Sequence, residues 1–216
     1  MHGTGTWCRL LCRREVVTVV TVDLPCDDES AGWSDYADAV CEAIGSRESL
    51  VVVAQSLGAF VAPIVCSRKP AELLVLVAAM IPQPGETANQ YWENTGYAEA
   101  QRNIDAQRKA DASDPIALFY HDVPRELAEQ ALARGRPQAE RIADEPWPLE
   151  AWPEVPVRFL LCSRDRLFPS AWLRGVVSAR LGIEPDEIDS GHCPALSCPH
   201  ELAARLESFR LERGGR

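Results

Sequence analysis

Lysine is almost missing from this chain of 216 residues: it stands only at positions 69 and 109, and arginine supplies the rest of the 22 basic residues. Against 32 acidic residues this leaves a formal net charge of −10. Phosphate backbones are held by clusters of Lys and Arg, so the charge balance argues against nucleic acid as a partner. The acidic residues are scattered rather than blocked, which reads as a solvated surface. No apolar run is long enough to span a membrane, and no signal-peptide pattern is visible. Cys-x-x-Cys pairs are also absent, although there are eight cysteines, at 8, 12, 26, 41, 66, 162, 193 and 198. Cys8/Cys12 and Cys193/Cys198 have no second half at metal-ligand spacing, so no metal site is expected. Cys66 and Cys162 lie in apolar runs, where cysteine behaves as a small core residue. Scattered thiols without a membrane segment predict a cytoplasmic protein.

The length suits one domain, spanning 1–216, with a sizeable core. "VVTVVTVDLP" (16–25) is β-branched, continuous and stopped by Pro25, the pattern of a buried parallel strand. "SDYADAVCEAIG" (34–45) places apolar residues at helical spacing and ends at Gly45. "SLVVVAQ" (49–55) predicts a second buried strand, and "SLGAFVAPIVCSR" a helix that must accommodate Pro63 in its first turns. Further strands are predicted in "AELLVLVAAMIP" (71–82), in "VPVRFLLCSRD" (155–165) and, short, in "EPDEIDSGH". "AWLRGVVSARLG" and "PHELAARLESFRLER" predict helices. Strands alternating with helices predict an α/β fold, a mostly parallel sheet with helices on both faces. Residues 83–153 differ: they hold Trp92, Trp147, Trp152, several prolines and helical patches such as "PRELAEQALARG", but no convincing strand. A helical insertion there predicts a lid; an excursion that packs on the core is the plainer alternative.

The chemistry-bearing stretch is "LVVVAQSLGAF" (50–60), an apolar run leading into Ala54-Gln55-Ser56-Leu57-Gly58. It matches the strand-to-helix pattern Gly-x-Ser-x-Gly, with Ala54 in place of the first glycine. Small size is the demand there, because strand and helix backbones approach closely, and alanine nearly meets it. Taken alone, Ser56 reads equally well as a helix cap. Two further residues change the balance. Asp165 sits just past the end of a predicted strand, at the edge where open parallel sheets place ligands. His192 follows Gly191 in "DSGHCPAL", after the predicted last strand. The order Ser, Asp, His is that of one known triad architecture. In it Ser56 attacks a carbonyl, His192 takes its proton, and Asp165 holds the imidazole tautomer. Asp189 is the second-ranked acid, placed on the predicted short strand.

On Ala54-Gln55-Ser56-Leu57-Gly58, Asp165 with Pro169, and Gly191-His192, the chain resembles the α/β-hydrolase superfamily. "DLPCDD", "AAMIPQPGE" and "YHDVP" resemble its small-esterase branch, with plant methylesterases and hydroxynitrile lyases. The resemblance runs from about residue 16 over nearly the whole chain. It implies an eight-stranded, mostly parallel sheet, a lid after the strand at 71–82, and a cofactor-free serine mechanism on a small-molecule ester. It also implies two oxyanion donors, the backbone N–H groups of Leu57 and of Thr4, the latter after His2-Gly3. Family members carry a strand before that His-Gly, lying between the strands that match 16–22 and 50–54. Here "MHGTGTW" opens the sequence. The expectation is therefore an N-terminally shortened version of the fold: a start lying further upstream, a damaged copy, or a re-paired sheet.

The leading expectation is hydrolysis of a small ester or related acyl bond through an acyl-enzyme on Ser56. A non-catalytic or inactive relative is the alternative. A hydroxynitrile-lyase-type reaction ranks lower, because it calls for a cation and only Lys69 and Lys109 are available. His121-Asp122 in "YHDVP" can face the pocket from the insertion or pack within it; His200 reads as surface; Trp92, Trp147 and Trp152 read first as packing.

Overall fold

A computed structural model describes residues 17–102 and 114–213. Its centre is a four-stranded sheet of β1 (Leu50–Ser56), β2 (Ala71–Ala79), β3 (Val157–Cys162) and β4 (Asp186–Ile188), in that spatial order. Every neighbouring pair is parallel. Parallel neighbours need crossovers, and helices supply them. α1 (Trp33–Ile44) precedes β1, α2 (Ala62–Arg68) joins β1 to β2, and α7 (Ser170–Leu181) joins β3 to β4. Between β2 and β3 lie α3 (Ala88–Asn94), α4 (Tyr97–Arg102), α5 (Pro115–Phe119) and α6 (Arg125–Ala133). α8 (Pro194–Ser197) and α9 (Pro199–Arg213) close the described chain. The α/β class with a parallel sheet is as expected.

Leu73 to Ala79 of β2 are all buried, and so are Phe159 to Cys162 of β3. Successive strand residues point to opposite faces, so an unbroken buried run means that both faces are covered. Pro63 is accommodated without breaking a helix: residues 57–60 form a 3-10 turn, and Pro63 falls in the first turn of α2, where its missing N–H costs nothing. Gly45 and Gly182 terminate α1 and α7 at positive φ.

Two expectations need correction. The sheet has four strands among the described residues, not eight. The strand expected at 16–25 is not one: residue 16 lies outside the described residues, and 17–25 run without a ladder. A ladder forms only between backbones about 4.8 Å apart, and no described strand occupies the place that the resemblance assigns between this segment and β1. The segment nevertheless packs, with Leu24 and the following Cys26 against the core. Of the described valines ahead of Leu24, Val20 is exposed and the others are half-buried. With no ladder there, β1, expected as a buried strand, is an edge strand among the described residues: of its side chains only Ala54 is buried, and Val53 is 47% exposed.

Candidate active site

Ser56 ends β1 and enters the 3-10 turn with φ 53° and ψ −124°. A non-glycine residue held at positive φ costs on the order of 1–3 kcal/mol, strain that surrounding structure must over-determine. The turn is tight because two small residues meet at its base. A Cβ placed on Gly58 would stand 3.8 Å from the Cβ of buried Ala54, an ordinary contact. That leaves room for the alanine that replaces the motif's first glycine.

Asp165 follows β3 in a turn that uses both of its carboxylate oxygens. Oδ1 accepts from the backbone N–H of Leu167 at 2.8 Å and of Phe168 at 3.1 Å. Oδ2 lies 2.8 Å from His192 Nδ1. Asp165 is 2% exposed and His192 3%. The bond brings together residues 27 positions apart because the β3–β4 pairing continues past the strands: Ser163 N–H donates to Ile188 O, and Arg164 N–H to Ser190 O. Asp189 is turned outward. Its side chain is 76% exposed and paired with Arg164 at 2.8 Å.

The Ser56 turn reaches the His192 loop through its neighbour. Gln55 Nε2 donates to the main-chain O of His192 at 2.6 Å. The hydroxyl of Ser56 itself makes no hydrogen bond to the His192 ring among the described residues; such bonds often tighten only when substrate is bound. The imidazole is flanked by two rings, Phe119 at 5.4 Å and Phe168 at 5.3 Å between centroids, both edge-on. Phe168 in turn meets Trp92 and Trp172. Trp147 and Trp152 are packing residues, tilted against each other with their indole N–H groups on Phe60 O and Pro82 O.

His2 and Thr4 lie outside the described residues. Leu57 opens the 3-10 turn. His200 is exposed, as expected. His121 and Asp122 reach the loops that carry Asp165 and His192: His121 Nε2 lies 2.9 Å from Arg164 O, and Asp122 Oδ2 accepts from Gly191 N–H at 2.5 Å. Sequence reasoning singled out this dipeptide without its partners. It also passed over Gln55, which stands at the variable position of the motif, and Phe119 and Phe168. Cys193, next to His192, is a half-buried thiol pushed up to about 11, foremost by burial. All six described cysteines are free. No group of three or more metal-ligating side chains occurs among the described residues, and no described helix is long and apolar enough to cross a membrane.

A parallel α/β sheet with its polar cluster at the carboxyl ends of β1 and β3 defines the class. The profile of the alpha/beta hydrolase family matches residues 1–205, and the chain belongs to that family. A search of curated proteins finds no match. Solved structures of similar fold include polyneuridine aldehyde esterase, at TM-score 0.64 and 20% identity over 82% of this chain and 79% of that one. A pyrethroid hydrolase from Sphingobium faniae JZ-2 matches at 0.65 and 19%, over 87% and 84%. An extracellular alpha/beta-hydrolase from a Paenibacillus species matches at 0.64 and 15%, over 85% and 81%.

Proposed function

We propose that the protein hydrolyses a small ester or a related acyl bond through an acyl-enzyme on Ser56. The observation that carries this reading is the buried Asp165–His192 hydrogen bond at the edge of the sheet where Ser56 stands at positive φ. In the proposed reaction Ser56 Oγ attacks the carbonyl carbon while His192 Nε2 takes its proton. The tetrahedral intermediate expels the alcohol, which leaves with that proton. Water then attacks the acyl-enzyme, again giving its proton to His192, and the acid departs as Ser56 is re-protonated. Asp165 holds the ring with Nδ1–H toward itself and stabilises the imidazolium. The N–H of Leu57, next to the nucleophile, is the proposed first oxyanion donor, and that of Thr4 the second.

Residues 83–153 are the proposed lid. Phe119 from that segment and Phe168 wall the imidazole with apolar surface, which suits an apolar acyl or alcohol group. The neighbours named as esterase and pyrethroid hydrolase accord with this reading. Of the two lysines that the lyase alternative could call on, Lys69 Nζ is committed to Gly45 O, beyond the far end of α2, and Lys109 lies outside the described residues. Turnover of an ester separates this reading from the non-catalytic alternative.

The deciding experiment is labelling with a fluorophosphonate probe beside turnover of a chromogenic acetate. Wild type labels once at Ser56; Ser56→Ala labels not at all and loses turnover by orders of magnitude. Full labelling of the Ser56→Ala protein would overturn the assignment.

A further inference from the structure

Two residues of the β2–β3 segment grip the chain at the positions just before Asp165 and His192. His121 Nε2 meets the main-chain O of Arg164, and Asp122 Oδ2 takes the main-chain N–H of Gly191. Arg164 precedes Asp165 in sequence, and Gly191 precedes His192. The grip is close. A Cβ built on Gly191 would stand 2.5 Å from Asp122 Oδ1 and 2.8 Å from His121 Nε2, so any larger residue would have to displace the dipeptide's side chains.

The arrangement is costly if it serves only to fill space. The Asp122 side chain is 6% exposed, its nearest cation is Arg164 at 3.7 Å, and its Oδ1 is buried without a hydrogen-bond partner. Burying a carboxylate with an idle oxygen is unfavourable, whereas a charge-assisted bond to a backbone N–H is short, strong and directional. Directionality is what an imidazole needs when its ring must stay aligned with a carboxylate on one side and a nucleophile on the other.

We infer that His121 and Asp122 are positioning residues that hold the Asp165–His192 pair in register from the β2–β3 segment. The inference rests on the reading of His192 as the general base. Asp122 fixes the Ser190–Gly191 peptide, one residue ahead of His192, His121 fixes the Arg164–Asp165 peptide, and the two act as one clamp because they are adjacent. The two anchored loops face each other, so a shift of the dipeptide moves both partners of the buried pair.

The test uses the full-length protein as wild type, Asp122→Ala, Asp122→Asn and His121→Ala. Fluorophosphonate titration counts reactive serines, acetate turnover is expressed per labelled site, and proton NMR follows the His192 Nδ1–H resonance. Asp122→Ala is expected to label to full stoichiometry but more slowly, with kcat per labelled site down on the order of 10²-fold and KM little changed, as small misplacements cost. Its Nδ1–H resonance moves or broadens. Asp122→Asn keeps an acceptor oxygen for Gly191 N–H and recovers to within about tenfold of wild type. His121→Ala falls between. A smaller labelled fraction with unchanged kcat per site in Asp122→Ala means a folding role only, and overturns the inference. Should Asp122→Ala not fold, His121→Ala decides by the same readouts: unchanged kcat per site with an unmoved resonance overturns the inference. If wild type does not label at all, the serine reading fails instead. The resonance then judges the clamp alone, displaced in support or unmoved against.

Discussion

Gln55 and His192 stand 137 residues apart in sequence, yet the side-chain amide of the first donates to the main-chain carbonyl of the second across 2.6 Å. The residue before Ser56 thereby ties the β1 turn to the loop that carries the imidazole. With Asp122 on Gly191 N–H, the His192 loop is held from two sides. Gln55→Leu keeps the bulk and removes the donor. Its expected effect is a loss of about tenfold in kcat/KM, the scale of one hydrogen bond whose partner is left unmade. Steady-state turnover normalised to labelled serine checks it; an unchanged value would show that the loop needs no support from β1.

The two carboxylates near His192 separate cleanly by substitution. Asp165→Asn should slow acetate turnover by about 10⁴-fold with little loss of fold, because the amide favours the wrong imidazole tautomer. Asp189→Asn, at an exposed side chain, should stay within about twofold of wild type, as surface substitutions do. Circular dichroism on both variants guards the comparison, and the reverse ranking would reassign the acid.

A second buried pair lies at the base of the β2–β3 segment and bears on stability. Arg180 on α7 holds Glu86 through two bonds, at 2.5 and 2.8 Å, while its guanidinium also lies 5.0 Å from the Tyr91 ring centroid. Burial pushes the Glu86 carboxyl up, but hydrogen bonds from Arg180, Asn94 and the Gln83 amide outweigh it and hold it below its ordinary value of 4.5. Because the folded value is the lower one, the stabilisation is complete above 4.5 and fades as pH falls through the folded value. Glu86→Ala leaves Arg180 buried and unpaired and should cost about 3–5 kcal/mol, roughly 6–20 °C in Tm. In melts from about pH 6 down to pH 3, it should also flatten the acid-side decline of Tm. An equally steep decline in the variant would remove Glu86 from the account.

Cys193 tests whether a thiol beside the imidazole has any reactivity of its own. A thiol at about 11 holds some hundredfold less thiolate near pH 8 than one at 9.0. Iodoacetamide should therefore modify Cys193 about a hundredfold more slowly than an ordinary cysteine, with the rate climbing as pH rises toward 11. Mass spectrometry of timed samples reads it. Rapid alkylation at neutral pH would mean that His192 activates the thiol.

Much of the architecture was written in local pattern. The apolar runs of β1, β2 and β3, the stops at Gly45 and Gly182, and the small residues around Ser56 are short-range signals, and each element appears where its pattern lies. Asp165 at a strand end and His192 in the loop after the last strand were legible for the same reason, since strand ends can be located without knowing the partners. The stretch at 16–25 shows the limit of that reasoning. Its β-branched run suits a strand, but a ladder requires another backbone at the right spacing, which no residue within the stretch specifies; among residues 17–25 only Leu24 packs on the core, and Val20 is exposed.

What the chain determined by itself, then, was which segments become strand and helix and which residue types reach the carboxyl edge of the sheet. Which carboxylate faces the imidazole was decided by tertiary structure, because the β3–β4 pairing carries Asp165 inward and leaves Asp189 in solvent. Tertiary structure also set Gln55 against His192 O, Asp122 against Gly191 N–H, and Arg180 against Glu86, across separations of 137, 69 and 94 residues. No local periodicity encodes such contacts. They exist only when separate elements pack to within hydrogen-bond distance, about 3 Å, and their directions are fixed by the packing of the whole sheet.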